Sequence, residues 1–480
     1  MRRDRFTSLA SIFALLSACG GGGSDSGGGG AAPPITVSPS PTPSPTPTPT
    51  AGCSLRERQD WAAAQLREWY LFPELLPGTL DPAAYATVDA YIDALTATAR
   101  AQSKDRFFTY LTSIREENAF YASGSSAGFG IRLSYDSAGG RLFVAEAFEG
   151  APALAAGIDR GTEILAIGTS ADNLRTVSSI FAAEGSAGVS AALGASDAGV
   201  TRVLRIASGG TQRDVSVTKA DYEISPVSSR YGARIIEDGG RRVGYLNLRT
   251  FISTADPQLR SAFDGFRSQG VTDVIVDFRY NGGGLVSIAD LMGNLMGAGR
   301  ANSVFSFTTF RPEKSSNNST AFFAPLSQSI APVKIAFIGT GGTASASELV
   351  INAFTPYLHT NSALVGSNTY GKPVGQIALD RSQCDDRLRV VAFKTENASR
   401  QGDYYTGLAS KVEASCQAAD DVTRPLGDPA EASVKGALDF LAGRVCTPIA
   451  TGQTAQRVRG RELLQSERPS TAEREVPGLH

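Results

Sequence analysis

The chain has 480 residues, enough for a sizeable core and about two or three domains. Its 45 Lys and Arg residues against 47 Asp and Glu residues leave a formal charge of -2, which excludes a global basic field for nucleic acid or an anionic surface. The chain contains 2 histidines, His359 and His480, so mechanisms that need a cluster of imidazoles are excluded as well.

Residues 1–18 have the layout of a bacterial export signal, with arginines ahead of the apolar run Leu9–Leu16. That run is too short to span a membrane. The Leu-Ser-Ala-Cys sequence that ends at Cys19 resembles the lipobox of bacterial lipoproteins, in which the cysteine becomes the lipidated first residue. An ordinary cleavable signal with a chance cysteine is the alternative. In lipoproteins, a residue such as Gly20 after the cysteine is associated with the outer membrane, facing the periplasm or the cell surface.

Residues 19–52 are expected to form the lipid anchor and a linker. Gly20–Gly30 is nearly all Gly and Ser, a composition typical of a flexible coil, whereas Pro33–Thr50 is a Pro-Thr and Pro-Ser repeat that favours an extended polyproline spacer. At roughly 3 Å per residue the Pro-rich part could reach on the order of 50 Å. The two segments would tether the folded part to a membrane.

The cysteines after Cys19 are Cys53, Cys384, Cys416 and Cys446. In an exported chain they favour disulfides, and the sequence leaves all three pairings open. We favour Cys384–Cys416, which flank one polar segment, together with Cys53–Cys446, which open and close the folded region. A zinc site is the alternative, but no CxxC spacing and no neighbouring histidine support it.

Residues 53–120 are expected to be a helical N-terminal region, with two helices between Ser54 and Arg100. Residues 121–222 resemble a PDZ domain, a module that binds a peptide C-terminus as an added strand. The features that carry this resemblance are the loop Gly128-Phe129-Gly130-Ile131, the strand Leu142–Ala147, the helical turn 151–158 and the strand 161–167. An arbitrary small β-rich module is the alternative, and Thr162 departs from the usual Asp.

Residues 223–446 read as an α/β core. Strand 242–248, helix Gln258–Arg267 and strand 271–279 follow one another, an order that predicts a mostly parallel sheet. The glycines that end the second strand could cradle a phosphate, but neither GxxxxGK[ST] nor GxGxxG is present. The two acidic pairs, Asp385-Asp386 and Asp420-Asp421, are interpreted as solvated loop carboxylates and not as a metal pair.

Residues 447–480 are expected to be a disordered tail, because they are rich in charged and polar residues.

An apolar strand, Val333–Ile338, leads through a Gly/Thr/Ser loop into an apolar-periodic segment that predicts a helix. Ser345 and Glu348 match a capping box, with Ser345 as the N-cap residue. Ser347 is therefore left over in the first helical turn. Unpaired backbone N–H groups and the helix dipole favour negative charge there, which suits a nucleophile.

The chain resembles the C-terminal processing peptidases, or tail-specific proteases, through the motifs Asp277–Gly284, Thr343–Glu348 and Thr369–Gln376. Members of that family have an embedded PDZ domain and a crotonase-like (ClpP/crotonase-type) α/β peptidase core. The resemblance implies that Ser347 is the nucleophile, that Lys372 is the general base and that Gln376 orients the lysine. It also implies an oxyanion hole made by backbone groups of Gly282, Gly283 and Glu348.

A serine hydroxyl needs a neighbouring base, and a lysine can serve if burial lowers its pKa enough. His359 would lie about three turns into the helix that Ser347 opens, roughly 18 Å away along the axis. It is therefore a poor candidate for the base. Pro373 restricts the backbone of Lys372 to extended conformations.

The sequence thus predicts an exported serine endopeptidase that recognises protein or peptide substrates through their C-termini. No metal, organic cofactor or nucleic acid is implied. A non-catalytic peptide- or ligand-binding protein on the same scaffold is the alternative. A crotonase-type acyl-CoA enzyme is a further one, but it leaves the PDZ resemblance unexplained.

Overall fold

The computed structural model describes residues 51–136, 140–451, 461–466 and 468–480. These residues belong to one unit that extends from residue 49 to residue 480. The expected signal peptide, Cys19 and most of the linker lie outside the described residues. Within the described ranges, no helix is both long enough and apolar enough to cross a bilayer.

The N-terminal region is mostly helical, as predicted. Its elements are α1 (Leu55–Trp69), α2 (Val88–Leu95), α3 (Ala97–Ala101), β1 (Tyr110–Ser113) and α4 (Ile114–Ser123). Helix α1 begins at a capping box in which Ser54 and Glu57 bond to each other's backbone N–H. The apolar faces of α1 and α2 meet through Leu66 and Ile92, which are buried.

A β module follows, by which we mean residues 124–223. Its elements are β2 (Ser125–Gly128), β3 (Ile131–Asp136), β4 (Arg141–Ala147), α5 (Pro152–Ala155), β5 (Glu163–Gly168), β6 (Arg175–Thr176), α6 (Val177–Leu193), β7 (Thr201–Ser208), β8 (Thr211–Thr218) and β9 (Ala220–Glu223). Strands β3, β4, β5, β7 and β8 form an antiparallel sheet in that order, and α6 packs on it through Ile180 and Val189. The predicted strands at β4 and β5 are confirmed, and the PDZ identity of the module remains a prediction.

The remaining elements up to residue 441 build the core. They are β10 (Ala233–Asp238), β11 (Arg241–Asn247), α7 (Ala255–Ser268), β12 (Asp273–Asp277), α8 (Val286–Met296), β13 (Val304–Phe310), β14 (Ser319–Phe322), β15 (Lys334–Gly339), α9 (Ala346–Leu358), β16 (Ser362–Gly366), β17 (Val374–Arg381), β18 (Asp386–Glu396), β19 (Ala414–Gln417) and α10 (Ala432–Leu441).

The main sheet of the core has the strand order β10, β11, β12, β15, β16, β19. Only the β10–β11 pair in it is antiparallel among the described strands, so the predicted parallel sheet is confirmed. Helices α7, α8 and α9 cover one face and α10 covers the other. This is why the central strands are apolar on both sides.

Two features of the core position the candidate site. Parallel strands β12 and β15 end at the same sheet edge, and the loops that follow them carry Asn281–Gly284 and Thr343–Ser347. The second sheet contains the hairpin β17–β18, with β1 and β13 paired to β18. Lys372 lies just before β17.

The prediction that residues 447–480 are disordered is wrong for the part of this segment that the structure describes. Strand β20 (Glu462–Leu463) pairs with β3, and helix α11 (Thr471–Glu475) begins at the N-cap Ser470. The final residues then run beside β3, where Val476 and Leu479 are buried. The polar composition concealed these apolar contacts, because the partner surface comes from a distant part of the chain.

The favoured disulfide pairing is also wrong. The structure joins Cys53 to Cys384 and Cys416 to Cys446, with Cα–Cα distances of 5.6 Å and 5.3 Å. Residues 51–54 lie against the β17–β18 hairpin tip that carries Cys384, where Arg381 donates to the Gly52 carbonyl. Residue Thr447 bonds to Gln417 beside Cys416, which brings the chain after α10 back to β19.

Digestion of the unreduced chain tests this connectivity. Mass spectrometry should find one linked pair of peptides with Cys53 and Cys384, and another with Cys416 and Cys446. Both pairs should separate after reduction, which is the control. A peptide pair that joins Cys384 to Cys416 would contradict the structure.

Candidate active site

Ser347 lies in the first turn of α9 and is fully buried. The N-cap residue Ser345 has a φ of 53°, a backbone conformation that costs on the order of 1–3 kcal/mol for a residue other than glycine. Its N–H donates to Glu348 Oε2 at 3.1 Å, and the predicted capping box is confirmed. The capping box separates a structural serine, Ser345, from Ser347.

The Ser347 hydroxyl donates to the Asn281 carbonyl at 3.1 Å. The Ala344 N–H donates to the same carbonyl at 3.0 Å. The Asn281 side chain in turn donates to the Leu248 carbonyl at 2.8 Å. These bonds join the loop after β12 to the loop before α9, so the glycine motif and the candidate nucleophile are neighbours.

The Glu348 carboxylate connects α9, which carries Ser347, to the loop that carries Lys372. Besides Ser345, it accepts the N–H groups of Gly371 and Lys372, each at 2.7 Å. Burial raises the pKa of this fully buried carboxyl, and the hydrogen bonds from Thr369 and the backbone oppose that rise. Sequence reasoning assigned Glu348 only its capping role and a backbone N–H. Glu348 is a charged residue in an otherwise apolar helical segment, and this pattern could have indicated a buried hydrogen-bond acceptor.

Lys372 and Gln376 are brought together on one side of the site. Lys372 Nζ donates to Gln376 Oε1 at 2.8 Å and lies 5.1 Å from the centre of the Phe108 ring. Gln376 Nε2 donates to the Phe108 carbonyl, so the amide is held with its oxygen toward the amine. No hydrogen bond joins Lys372 to Ser347 in the part of the chain that is described. Each of the two is engaged with another partner.

Burial lowers the pKa of Lys372 from its usual value, because the surroundings disfavour the charged amine. Nearby charges act in both directions. Glu475 and Asp105 raise the pKa, whereas Arg474 and Arg389 lower it. The net decrease is what a lysine general base requires.

The three backbone N–H groups predicted for the oxyanion hole have different hydrogen-bond partners. Gly282 N–H donates to the Glu475 carbonyl at 2.9 Å, so it faces a carbonyl from another segment. Gly283 N–H donates to Asn281 Oδ1 at 3.0 Å and is thereby engaged within its own loop. The Glu348 backbone faces the Ser345 side chain in the capping box. Gly282 is therefore the donor that the geometry favours.

A buried ion network lies beneath this loop, and the sequence did not predict it. Arg279 is 1 % exposed and bonds to Asp277, Glu431 and Asp420. Asp420 also pairs with Arg160 of the β module at 3.0 Å. Burial alone would raise the pKa of Asp420, but the two guanidinium groups bring it below its usual value.

Asp386 is 3 % exposed and pairs with Arg58, so its interpretation as a solvated loop carboxylate is wrong. The same interpretation is wrong for Asp420. Its partners come from sequence-distant loops, which is why the sequence did not reveal them. Arg132 on β3 adds a second link, since its Nη1 donates to the Tyr280 carbonyl at 2.6 Å. Tyr280, the residue before Asn281, is thus held in place by a side chain of the β module.

The loop Gly128–Ile131 lies between β2 and β3, where its predicted role was to bind a peptide end. Phe129 is fully buried in the β module. The Ile131 N–H donates to the His480 carbonyl at 3.1 Å, so the loop contacts residue 480 of the same chain.

His359, the one histidine inside the predicted core, lies far from this site. His359 is the C-cap of α9 and pairs with Glu413 at 2.7 Å, at the opposite end of the helix from Ser347. The prediction that it lies far from the nucleophile is confirmed. The described residues contain no group of three or more His, Cys, Asp or Glu side chains that could hold a metal ion.

A cavity of about 1280 Å³ borders the site. Lys372, Tyr370 and Gly282 line it on the core side, and the N-terminal region and α6 of the β module contribute the other walls. Residues Arg474 and Glu475 also line it. The cavity has room for an extended peptide beside the site.

Parts of this chain are similar in sequence to known peptidases. The model of peptidase family S41 matches residues 242–403, which include Ser347, Lys372 and Gln376. The chloroplastic carboxyl-terminal-processing peptidase 3 of Arabidopsis thaliana is 26 % identical over 340 residues, 68 % of this chain and 61 % of that protein. The carboxyl-terminal-processing protease of Synechocystis is 25 % identical over 330 residues, 67 % of this chain and 70 % of that protein.

The chain thus spans less than two thirds of the Arabidopsis relative and slightly more of the Synechocystis one. A putative S41 protease from Bacteroides fragilis has a similar fold, with a TM-score of 0.62 and 22 % identity, over 80 % of this chain and 97 % of that one. The sequence resemblance and these matches point the same way: residues 242–403 are similar to peptidase family S41, and the fold is similar to that of an S41 protease structure.

Proposed function

We propose that this chain is a serine endopeptidase in which Ser347 is the nucleophile, Lys372 the general base and Gln376 the residue that positions the base. The observation that carries the proposal is the Glu348 carboxylate, which bonds to the backbone of Ser345 and of Lys372 at the same time. A buried carboxylate with these partners holds the first turn of α9 and the lysine loop in one fixed relation.

In the proposed mechanism, neutral Lys372 removes the proton from Ser347 Oγ as the oxygen attacks the substrate carbonyl carbon. The Ser347 hydroxyl first exchanges its bond with the Asn281 carbonyl for one with the lysine. The negative oxygen of the tetrahedral intermediate accepts from Gly282 N–H, once that group has left the Glu475 carbonyl, and from Glu348 N–H, once that group has left the Ser345 side chain. Gln376 keeps the amine directed to the site throughout.

Collapse of the intermediate breaks the peptide bond. The Lys372 ammonium gives its proton to the leaving amine, and an acyl ester on Ser347 remains. Water then attacks the ester with the lysine again as base, which releases the second product and restores the hydroxyl. No step in this sequence needs a metal or an organic cofactor.

The proposed substrates are proteins or peptides whose C-termini bind along the β module. Support comes from the PDZ resemblance and from relatives that are named as carboxyl-terminal-processing proteases. The export signal, the lipid anchor at Cys19 and the resulting periplasmic or surface location belong to the same proposal. Replacing Cys19 with Ser should release the protein from membranes, and continued membrane association would remove the anchor from it.

Single substitutions of the two proposed catalytic residues test the mechanism. Ser347→Ala and Lys372→Ala should each reduce cleavage of an unfolded protein with an apolar C-terminus by roughly 10³-fold or more, because the two residues act as a unit. The matched control is Ser345→Ala, which alters the same turn and should cost about 1 kcal/mol of stability while most activity remains. Cleavage at the original rate by both catalytic variants would contradict the mechanism and leave the non-catalytic alternative.

The pH dependence of kcat/KM tests the role of Lys372. A base works when deprotonated, so kcat/KM should rise with pH up to the pKa of Lys372 and then level off. Burial lowers that pKa, so the plateau should begin below the value of an ordinary lysine. Gln376→Glu adds a carboxylate at the amine, favours the charged form and should move the rise to higher pH.

Gln383→Glu makes the same charge change at an exposed position on the β17–β18 hairpin and serves as the control. The two profiles should differ. Superimposable profiles for these two variants would exclude Lys372 as the group whose titration limits the rate.

A further inference from the structure

Residues 478–480 pair with β3 through an isolated antiparallel bridge between Leu479 and Arg132. Leu133 N–H donates to the Gly478 carbonyl at 2.8 Å, and His480 N–H donates to the Ile131 carbonyl at 2.8 Å. Ile131 N–H returns a bond to the His480 carbonyl at 3.1 Å. Backbone bonds of this kind give affinity without selecting a sequence.

The backbone of His480 lies against the loop that precedes β3. A Cβ atom at Gly128 would lie 2.9 Å from the His480 carboxyl carbon, which is too close for any side chain. Gly478 has a φ of +83°, and a Cβ there would lie 3.0 Å from the Leu133 carbonyl oxygen. Glycine is therefore needed on both sides of this contact.

Side chains of residues 476–480 fill buried pockets. Val476 and Leu479 are 0 % and 3 % exposed, and they join an apolar cluster that includes Phe120 and Phe148. His480 is 4 % exposed, its Nε2 lies 3.1 Å from the Leu464 carbonyl, and burial lowers its pKa to about 4. A neutral imidazole therefore occupies the last position.

The same segment reaches the catalytic residues. The Glu475 carbonyl accepts the N–H of Gly282, the donor that the proposed mechanism assigns to the oxyanion. Glu475 Oε1 accepts from the Tyr121 hydroxyl at 3.0 Å, which fixes the carboxyl group in the site. Its charge also raises the pKa of Lys372 and so opposes formation of the neutral base.

We propose that residues 470–480 are an intramolecular ligand that fills the groove beside β3 and closes the active site. The groove fits a free C-terminus with aliphatic side chains at the second-last and fifth-last positions and glycine at the third-last. A substrate end of this pattern opens the site by displacing the segment. The effect on cleavage rests on the proposed function, whereas the binding of the segment does not.

Residues 470–480 are attached to β3 through a short link, and this favours their binding in the groove. Strand β20 is itself paired with β3, so only residues 464–469 separate an anchored strand from the ligand. A link this short gives an effective concentration on the order of 1 mM, and a ligand with a dissociation constant of about 10 µM would then be bound about 99 % of the time.

Peptide binding tests the groove independently of catalysis. The probe is the synthetic pentapeptide Val-Pro-Gly-Leu-His with a free carboxyl end, and its C-terminal amide is the matched control. The acceptors are the Ser347→Ala chain and the same chain ended after Pro469. The acid should bind the shortened chain at least about tenfold more tightly than it binds the full chain, and more tightly than the amide binds. Equal binding to both chains would overturn the proposal.

Activity provides the second measurement. Ending the chain after Pro469 should raise cleavage of an unfolded protein by about tenfold or more. Leu479→Asp buries a charge in the apolar cluster and should have the same effect in a chain of full length. Lys435→Ala, at an exposed position on α10 away from the cavity, should leave the rate unchanged.

The outcomes separate the two proposals. Equal rates for the full chain, the shortened chain and Leu479→Asp would overturn closure by the segment. Peptide binding as described, but no cleavage by any of these chains, would support the intramolecular ligand and refute the peptidase.

Discussion

One buried carboxylate connects the parts of the candidate site. Glu348 accepts backbone N–H groups from the start of its own helix and from the loop that carries Lys372. A fully buried carboxylate without partners would be very unfavourable, so the lysine loop and the helix must close around it together. The positions of Ser347 and Lys372 follow from this requirement. The position of Gln376 follows in turn, because it lies at the start of the strand that the loop leads into.

Charged groups also connect the β module to the loop that carries Asn281 and Gly282. Arg132 and Arg160 extend from the module to the Tyr280 carbonyl and to Asp420. Both arginines are buried, and a buried guanidinium loses several kcal/mol if its partners move away. The module that holds the final residues of the chain is therefore in direct contact with the residues that hold Asn281 and Gly282. Movement of β3 cannot occur without a cost at this loop.

The features that the sequence predicted correctly are those with local causes. The apolar strands, the capping box at Ser345 and the remoteness of His359 each depend on residues within one helix or strand. The features that it did not reveal depend on chain segments that are distant in sequence. The connectivity of Cys384, the burial of Asp420 and the ordered course of Val476–His480 all arise where such segments meet. Composition and spacing contain no information about contacts between such distant segments. A motif match can indicate Ser347 and Lys372, but it does not show the hydrogen-bond partners that they have in the structure.

The most direct test of this account is covalent labelling of the chain with a fluorophosphonate, followed by mass spectrometry of the digested protein. This reagent phosphonylates activated serines with loss of fluoride. The account predicts an adduct on Ser347 that forms more slowly in Lys372→Ala and also in Glu348→Gln, which keeps the shape of the side chain but removes its charge. An adduct on a different serine, or labelling of Ser347 at the same rate in both variants, would contradict the claim that Glu348 assembles a Ser347 and Lys372 active site.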